Sequence, residues 1–539
     1  MRRYEVNESP YYVRNPYVEK NPFLTAEKLQ TEKLTEGTSQ EEKIQQPEPI
    51  RNAEKDRNAE WEAVLPKYQD IRKKLPQPVW ENHDSAIACY YKTWEIAFGN
   101  LKKITPENGF VKNYIDSAFN GALFMWDSSF ITMFGKYGGG IFPFIHTLDN
   151  FYAKQHKDGF ICREIYEQDG KDYFARHDPV STGPDILPWA EWENYLFTGD
   201  ADRIRKVFYP LLAYHLWTKE NRTWMDGSYW SSGWSCGMDN LPRLKPGYDH
   251  SFSHGHQIWV DTCFQQMLSC RILLQMAEII SLKEEEILKP LEEEYEKLKT
   301  ITRDRLWDEQ TGFYYDLWDT GEFNGLMHLG AYWGLLADAV PKERMERFVA
   351  HLDNPAEFNR TNRIPVLAAS SPYYKSEHGY WCGSVWAPAN YMVLRGLSHA
   401  GYHRLATEIA DTCHSNIISS FEKTGTLFEN YKPDTFGEND SFRKDFVGWT
   451  GLIPVAVLIE YVLGIGFDAS CNTITWHITK TDRHGLLNFC CGKEIVVDLI
   501  CEKRTDRHAK PVISVKSNKE VKVHVFWDGG EETISSEWL

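Results

Sequence analysis

The chain has 539 residues, 42% of them hydrophobic, and a formal net charge of −17 at pH 7. This is enough apolar material for at least one large domain, and the acidic balance argues against a nucleic-acid partner or an anionic membrane surface, both of which favour a basic face. The 20 tryptophans, 28 tyrosines and 28 phenylalanines favour a ligand with flat apolar faces, such as a sugar ring.

The 11 cysteines show neither a metal-binding spacing nor the regular pattern of a disulfide framework. We therefore predict no metal site and no cofactor. The N-terminal segment lacks the apolar core of a signal peptide, and no apolar run is long enough to cross a membrane. These features predict a cytoplasmic protein without a membrane partner, and they leave its oligomeric state open.

The chain divides into three predicted regions. Residues 1–58 are polar and poor in aliphatic side chains, which predicts an N-terminal arm or a disordered leader. Residues 59–466 predict a domain of helices joined by long aromatic loops, and residues 467–539 predict a small β domain with a residue period of two. The predicted helices fall within 86–103, 126–134, 143–155, 185–197, 200–220, 260–282, 283–307, 328–340, 342–352, 384–401, 404–421 and 446–464.

Some of these helices are apolar on all sides and others are amphipathic. Residues 200–220 show the second pattern, because Ile204, Val207, Phe208 and Leu211 form a stripe at helical spacing. A ring of buried helices inside a ring of half-exposed helices would produce this alternation. The predicted fold is therefore an all-α toroid of helix pairs with an N-terminal arm and a C-terminal β domain.

One candidate catalytic residue lies in the loop "SGWSCGMDNLPR", residues 232–243. Gly233 and Gly237 allow a tight turn and close approach to a ligand, while Trp234 and Met238 would keep water away from Asp239. Loss of solvation raises the pKa of a carboxyl group, and such a group can protonate a leaving oxygen near neutral pH. The alternative is that Asp239 caps a turn through the N–H groups that follow it.

The second candidate is Glu429, in "TLFENYKPDTFGEND", where Glu438 is an alternative functional acid. The loops that carry Asp239 and Glu429 can meet only if the fold brings them together, as a ring of helix pairs does. One carboxylic acid and one carboxylate on opposite sides of a sugar form a glycosidase site. Inverting enzymes hold the pair about 6.5–9.5 Å apart, and retaining enzymes hold it about 5–5.5 Å apart.

These motifs resemble those of the inverting (α/α)6-barrel glycosidases, the clan that contains trehalases and the family 63 enzymes, over roughly residues 115–465. "GMDNLPR" resembles the general-acid loop, which implies an acid role for Asp239 and a sugar contact for Arg243. "FENYKP" resembles the general-base motif, which implies a base role for Glu429. The arginine-rich signature of trehalases is absent, so trehalose is not the expected substrate.

Further motifs of the clan are "LFMWDSSF", "GYWCGSVWAPANYMVLRGL", "TGFYYDLWD" and "GWTGLIP". Together with the acid and base loops they imply a set of sugar-binding residues. Arg163 and Arg176 are possible further contacts to hydroxyl or anionic groups. The predicted sugar-binding residues are Trp126, Asp127, Trp234, Gly237, Asn240, Arg243, Trp381, Gly383, Trp386, Asn390, Tyr431 and Trp449.

The resemblance implies an inverting, exo-acting hydrolase of an α-linked glucoside or related hexoside. One alternative is a carbohydrate-binding protein on the same scaffold without turnover. Another is a sugar epimerase or phosphorylase on a helical toroid. The epimerase alternative depends on the histidine cluster His250, His254 and His256, which could equally have a packing role at the rim of the site.

Overall fold

The computed structural model describes residues 15–24, 64–117, 120–439 and 443–538, so most of the predicted arm, residues 1–58, lies outside the described residues. The described part of the arm packs against the helical region. Asn15 donates a hydrogen bond to the carbonyl of Ala213 at 3.0 Å, and Asn21 donates one to the carbonyl of Tyr152 at 3.0 Å. The two asparagines are themselves buried, so this segment is part of the folded body.

The described residues between 64 and 466 are mainly helical. The longer α-helices are α1 (Asp84–Gly99), α2 (Met125–Gly135), α3 (Leu187–Thr198), α4 (Ala201–Asn221), α5 (Val260–Ile279), α6 (Glu285–Arg305), α7 (Lys342–Ala350), α8 (Ala387–His399) and α9 (His403–Thr424). A π-helix, Ile453–Val462, follows α9. Short α-helical turns are Tyr68–Ile71, Asp149–Tyr152 and Trp333–Leu336, and 3-10 turns are Val18–Lys20, Arg72–Lys74, Lys136–Gly138, Phe144–Leu148, Leu329–Tyr332, His351–Asp353, Tyr380–Cys382 and Thr450–Leu452.

Three of the predicted helices differ from the structure. The prediction over 143–155 corresponds to a 3-10 turn followed by a single α-helical turn, and that over 328–340 does the same. At the start of the second segment the N–H of Leu329 bonds to the carbonyl of Val366, in a neighbouring stretch of chain. The prediction over 446–464 corresponds to a 3-10 turn and the π-helix.

Four of the buried helices, α2, α3, α8 and the π-helix, run in the same direction between two cavities. At or just before their N-terminal ends, the first cavity is lined by Trp126, Pro184, Trp381 and Trp449. Near their C-terminal ends, the second cavity is lined by Lys136, Phe197, Arg395 and Tyr461. The loops before four different helices therefore converge at one end of the helical region.

The C-terminal region forms two sheets. The strands are β1 (Gln77–Trp80), β2 (Ile465–Asp468), β3 (Thr473–His477), β4 (His484–Cys491), β5 (Ile495–Cys501), β6 (Ile513–Ser517), β7 (Lys522–Trp527), β8 (Gly530–Ser535) and β9 (Glu537–Trp538). One sheet has the order β1-β4-β5-β6-β9 and the other has the order β2-β3-β7-β8. Two-residue and three-residue strands pair elsewhere as Leu101–Lys102 with Tyr114–Ile115, Ala122–Phe124 with Glu164–Tyr166, Gln257–Ile258 with Leu317–Trp318, and Trp307–Asp308 with Phe313–Tyr314.

The sheets contain more than the predicted segment 467–539. Strand β1 precedes α1 in the chain and pairs antiparallel with β4, with Gln77 opposite Leu487 and Trp80 opposite His484. Strand β2 begins before residue 467. Buried and half-buried residues alternate along β5, as expected for a strand with one covered face.

The helical region and the sheets share one hydrophobic core. Phe197, near the end of α3, contacts Phe467 and Phe489 of the sheets, with ring centroids 6.2 and 5.9 Å apart. Within the described ranges, none of the helices has the length and apolarity that crossing a membrane requires.

Candidate active site

A cavity of about 270 Å³ lies where the helix-preceding loops converge, and we call it the acid cavity after Asp127, Glu164 and Asp239 in its wall. Its volume is close to the lower end of the range for ligand pockets, ~300 Å³. Seven of the predicted site residues line it: Trp126, Asp127, Trp234, Gly237, Asp239, Trp381 and Trp449. The other lining residues are Asn120, Phe124, Arg163, Glu164, Tyr173, Phe174, Gly183, Pro184, Tyr380 and Arg443.

Asp239 is half-buried in the wall of the acid cavity, at the end of a loop held by close contacts. Gly237 has a φ of +76°, and a Cβ atom there would lie 3.2 Å from the indole of Trp126, so this turn favours glycine. Burial raises the pKa of Asp239 to about 6, against the opposing positive charge of Arg163. Within the described part of the chain, no residue after Asp239 donates an N–H group to its carboxylate, as the turn-capping alternative would require.

Glu429 is buried beside the acid cavity, and its two carboxylate oxygens have different partners. The hydroxyl of Tyr380 donates to Oε1 at 3.2 Å, and Nε of Arg443 lies 3.6 Å from Oε2. Both partners line the cavity. Burial raises the pKa of Glu429, the Arg443 charge and the Tyr380 hydrogen bond oppose this, and the negative charge of Asp239 adds to the rise. Asp239 and Glu429 are therefore within electrostatic reach of each other.

The alternative acid, Glu438, lies in a different environment. Its Oε2 accepts a hydrogen bond from the hydroxyl of Ser420, on α9, at 2.9 Å. Neither Glu438 nor Glu429 is itself among the residues that line the acid cavity. Of the two acids in this loop, Glu429 is the one whose hydrogen-bonding partners face the cavity.

The segment Gly379–Trp381 connects the loop of Asp239 with Glu429. Asn240, next to Asp239, donates to the carbonyl of Gly379 at 3.0 Å and accepts from the N–H of Trp381 at 2.9 Å. Tyr380, between those two residues, is the residue that donates to Glu429. Two loops distant in sequence are thus joined through a three-residue bridge.

The start of α2 and the turn Tyr380–Cys382 supply buried polar atoms without a hydrogen-bond partner in the part of the chain that the structure describes. Asp127 is buried, and its pKa is raised well above the usual range by burial first and then by the negative charges of Glu164 and Glu429. Among the described residues, Oδ1 of Asp127 and the indole N–H groups of Trp126 and Trp381 make no hydrogen bond. Buried polar atoms without partners are unusual in folded proteins, and a site for a polar ligand is one explanation.

Arg243 lies behind the site, in contrast to the predicted sugar contact. It is 1% exposed, and its guanidinium group donates to both carboxylate oxygens of Asp261 at 2.6 and 2.8 Å and of Asp316 at 2.6 and 2.8 Å. The guanidinium carbon also lies 4.0 Å from the ring centroid of Trp259. The two carboxylates occupy the N–H donors of Arg243, and Trp259 covers its guanidinium group. Arg243 therefore holds the acid loop on the side away from the cavity and does not reach the cavity.

Five other predicted sugar-binding residues also lie outside the cavity wall. Trp386 is fully buried and stacks on Trp381, with ring centroids 3.8 Å apart. Asn390 is fully buried and donates to the carbonyl of Arg363 at 3.2 Å. A Cβ atom at Gly383 would lie 2.3 Å from the carbonyl oxygen of Lys375. These contacts show packing roles that fix the wall.

Tyr431 is the fourth of these residues. It is buried, its backbone pairs with that of Val385, and its hydroxyl accepts a hydrogen bond from the N–H of Phe428 at 3.1 Å. It therefore holds the loop that carries Glu429. Asn240, the fifth, is exposed, and its side chain forms the bridge to Gly379 and Trp381.

Several cavity residues were missed or only loosely placed by the sequence. Arg163 lines the cavity, pairs with Glu164 at 2.8 Å and lies over the ring of Phe174 at 4.8 Å. Arg176, the other loosely predicted arginine, pairs with Asp158 at 2.9 Å and is not part of the lining. Tyr380 could have been found because it directly precedes the predicted Trp381, whereas Arg443 has no local signal.

The histidine cluster does not line the acid cavity. The rings of His254 and His256 pack edge to face at 4.7 Å, and His254 packs in the same way on Trp224 at 5.0 Å. His250 is exposed. The arrangement matches the predicted packing alternative more closely than a pair of catalytic histidines.

One group among the described residues, His215, Cys270 and Glu294, has side-chain atoms within 4.8 Å of one another, as a metal site would. However, Nζ of Lys219 lies 2.8 Å from Glu294, and the hydroxyl of Tyr229 also donates to Glu294 at 2.5 Å. The carboxylate of Glu294 therefore already has a positive charge and a hydrogen-bond donor beside it without a metal ion. The absence of a metal and of a cofactor stays a prediction.

Comparisons with known proteins identify the class of this site. The Mannosylglycerate hydrolase MGH1-like glycoside hydrolase domain matches residues 144–446, more than half of the chain. The protein is therefore a glycoside hydrolase, and the predicted resemblance to the trehalase and family 63 clan is confirmed. In particular, the chain belongs to the MGH1-like family of glycoside hydrolases.

Individual relatives are distant. An uncharacterized protein of Borreliella burgdorferi is 24% identical over 387 residues, 69% of this chain and 78% of the relative. A mannosylglycerate hydrolase of Thermus thermophilus is 24% identical over 382 residues, 58% of this chain and 88% of the relative. The crystal structure of a family 63 mannosylglycerate hydrolase of Thermus thermophilus in complex with glucose superposes with a TM-score of 0.54 at 19% identity. The superposition covers 68% of the present chain and 99% of the Thermus thermophilus chain. The two proteins therefore share a helix-rich fold.

Proposed function

We propose that the protein is an inverting, exo-acting glycoside hydrolase that cleaves an α-linked glucoside or related hexoside. Asp239 is the general acid and Glu429 is the general base. The observation that carries this proposal is the placement of two carboxyl groups at one cavity in contrasting environments. Burial raises the pKa of both groups, to about 6 for Asp239, but among the described residues only Glu429 has a hydroxyl donor and a nearby guanidinium group that oppose the rise through direct contacts.

The two environments suit two different steps. A pKa of about 6 leaves a useful fraction of Asp239 protonated near neutral pH, so that it can transfer its proton to the glycosidic oxygen as the bond to the leaving group breaks. Burial raises the pKa of Glu429 as well, but the Arg443 charge and the Tyr380 hydrogen bond oppose this rise and favour the ionised form. The ionised carboxylate then accepts a proton from a water molecule as the water attacks the anomeric carbon. After the product leaves, Glu429 gives its proton to solvent and Asp239 regains a proton from solvent, which restores both groups for the next turnover.

The inverting stereochemistry is inferred from the family resemblance, and a bridge of residues lies between the loops of the two groups. Asn240 binds both neighbours of Tyr380, and Tyr380 donates to Glu429. The phenol side chain thus spans part of the distance between the acid loop and the base. Inverting glycosidases need about 6.5–9.5 Å between the carboxyl groups to hold the attacking water.

The unpaired polar atoms of the cavity support a sugar ligand. Trp126 and Trp381 each offer an N–H donor and an aromatic face, and Asp127 offers a carboxyl oxygen. These groups match the alternating hydroxyls and apolar C–H faces of one hexose ring. The small cavity volume, about 270 Å³, supports recognition of a terminal sugar and hence exo-action.

Two arginines, Arg163 and Arg443, line the same cavity, which supports a substrate with an anionic leaving group as one member of the class. Two of the relatives are named mannosylglycerate hydrolases. An α-hexoside whose leaving group is a hydroxy acid is therefore among the first substrates to test.

We also propose that the helices form the (α/α)6 toroid, with residues 59–466 as the catalytic domain between an arm at 1–58 and a β domain at 467–539. The parallel direction of α2, α3, α8 and the π-helix supports an inner ring. Helix α5 is buried along most of its length and packs against α4 and α6, which have exposed faces. Strand β1 completes the β domain from the N-terminal side.

The test is hydrolysis of a panel of α-glucosides, α-mannosides and α-mannosylglycerate, followed by proton NMR of the first product anomer. We expect the β-anomer to appear first. We expect Asp239→Asn and Glu429→Gln each to lower turnover by about 10²-fold or more. Glu438→Gln is the matched control and should keep wild-type turnover. An α-anomer as first product would overturn the inverting mechanism, and normal turnover by either active-site variant would overturn its role.

A further inference from the structure

A separate cavity of about 210 Å³ lies beside the short ribbon that pairs Gln257–Ile258 with Leu317–Trp318, and we call it the amide cavity after Gln257. It shares no lining residue with the acid cavity. Its wall consists of Trp224, Asp226, His256, Gln257, Ile258, Arg305, Leu317, Trp318, Asp319 and Gly321.

The side chain of Gln257 has no partner. Gln257 is 1% exposed, and neither Nε2 nor Oε1 makes a hydrogen bond within the described residues. A buried amide left unpaired is costly, so such a group is normally satisfied. Gln257 lies directly opposite Trp318 in the antiparallel ribbon, and directly opposed side chains project to the same face of a sheet. Both residues line the amide cavity.

Two tryptophans provide flat surfaces on this cavity. The indole N–H of Trp224 donates to the backbone carbonyl of Gln257 at 2.9 Å, which fixes the orientation of the ring. The ring of His256 stacks on Trp224 at 6.2 Å with an interplanar angle of 24°. The ring of Trp318 lies beneath Nζ of Lys245 at 4.7 Å. Fixed aromatic faces are suited to the apolar C–H face of a sugar.

The charged residues of the wall do not favour an ion. Arg305 forms an ion pair with Asp226, and the hydroxyl of Ser228 donates to the same aspartate at 2.6 Å. This pair is neutral, and the remaining acid of the wall, Asp319, is exposed and disfavours an anion, while its carboxylate can accept from hydroxyl groups. The cavity therefore combines aromatic faces with a neutral amide that can both donate and accept. A polyhydroxylated neutral ligand satisfies such an amide, whereas an anion or a cation would leave one of its two atoms unpaired.

We propose that the amide cavity is a second carbohydrate-binding site, which holds a neutral sugar ring between its aromatic residues and hydrogen-bonds it through the side chain of Gln257. This site is independent of the roles given to Asp239 and Glu429. It also accounts for two members of the histidine cluster, because His254 and His256 pack against Trp224 and hold one wall of the cavity in place. Burial, and then the charge of His256, lower the pKa of His254, so its ring packs there in the neutral form.

The test uses the full chain and two probes, methyl α-D-glucoside and methyl α-D-mannoside, titrated by calorimetry and by ligand-detected saturation-transfer NMR. Gln257→Leu removes both polar atoms at nearly constant volume, and Trp224→Ala removes an aromatic face. Trp126→Ala is the matched control at the acid cavity. Thermal unfolding of each variant confirms that it is folded.

We expect wild-type protein to bind sugar at two sites, and Trp126→Ala to retain one. That remaining site should weaken at least tenfold in the double variant Trp126→Ala, Gln257→Leu, while Gln257→Leu alone leaves turnover of a small α-glycoside unchanged. Binding to Trp126→Ala that is insensitive to Gln257→Leu, or no binding at all, would overturn the proposal. Because Trp126→Ala reports the second site without turnover, failure here is distinct from failure of the proposed hydrolase mechanism.

Discussion

Replacement of Asp239 by asparagine should make the protein more stable at alkaline pH, although it removes the proposed acid. Burial raises the pKa of Asp239 from the usual 3.8 to about 6 in the folded protein. The folded protein therefore favours the protonated form of Asp239. The unfolding free energy that this preference contributes is fully present below pH 3.8, and it is lost as the pH rises through about 6. The shift is roughly two pKa units, which corresponds to about 3 kcal/mol at 1.36 kcal/mol per unit. Asparagine cannot ionise and avoids this cost.

The assay is urea-induced unfolding of wild type and Asp239→Asn, followed by tryptophan fluorescence at pH 8 and pH 5. The variant should gain about 3 kcal/mol in unfolding free energy at pH 8 and roughly half as much at pH 5. Asp70→Asn is the control, because it makes the same change at an exposed position. A gain that is equal at both pH values would refute the reasoning, and so would a variant that is less stable at pH 8.

The other predictions concern the bridge and the layer behind it. Tyr380→Phe removes the hydroxyl donor whose hydrogen bond lowers the pKa of Glu429, so the pKa of Glu429 should rise further in the variant. The acidic limb of the kcat/KM profile should then move to higher pH, and an unchanged limb would contradict the role of the bridge. Arg243→Met leaves Asp261 and Asp316 buried without their partner and should lower the unfolding free energy by about 3–5 kcal/mol in urea titration. If Arg243 instead bound the sugar, that variant would keep its stability and change mainly KM.

Helices with a clear apolar stripe could be predicted from the sequence. The segment 200–220 became α4, and Ile204, Val207 and Phe208 of its stripe are buried as expected. The helix predictions that failed concern segments whose backbone conformation is determined by contacts with residues distant in sequence. The N–H of Leu329 bonds to Val366, a contact that no pattern within 328–340 can indicate. Strand β1 is a similar case, because its four residues become a strand only by pairing with β4, about 400 residues later.

The sequence around the two proposed catalytic carboxyl groups, Asp239 and Glu429, allowed them to be singled out from the other acidic residues. A loop with glycines and aromatic residues around a single acid indicates a dry carboxyl group, and the structure raises the pKa of Asp239 by burial. The cavity partners Arg163 and Arg443 could not be predicted in the same way. Each is one arginine among many, and only the fold brings its side chain to the cavity.

Arg243 shows the limit of an argument from a motif. The motif gives its position four residues after Asp239 but not the side of the loop on which its side chain lies. That side is decided by Asp261 and Asp316, which are 18 and 73 residues away in sequence. Two buried carboxylates require a buried cation in the absence of solvent, so Arg243 is drawn away from the cavity.

The motif residues therefore separate into two layers with different consequences for function. Trp126, Asp127 and Trp381 face the cavity and carry unpaired polar atoms. Behind them, Trp386 stacks on Trp381 and also donates its indole N–H to the carbonyl of Tyr380 at 3.2 Å. Because this second layer holds the bridge between Asn240 and Glu429, changes in it should alter the spacing of acid and base. Turnover would then fall while the affinity for the sugar, set by the first layer, is largely kept.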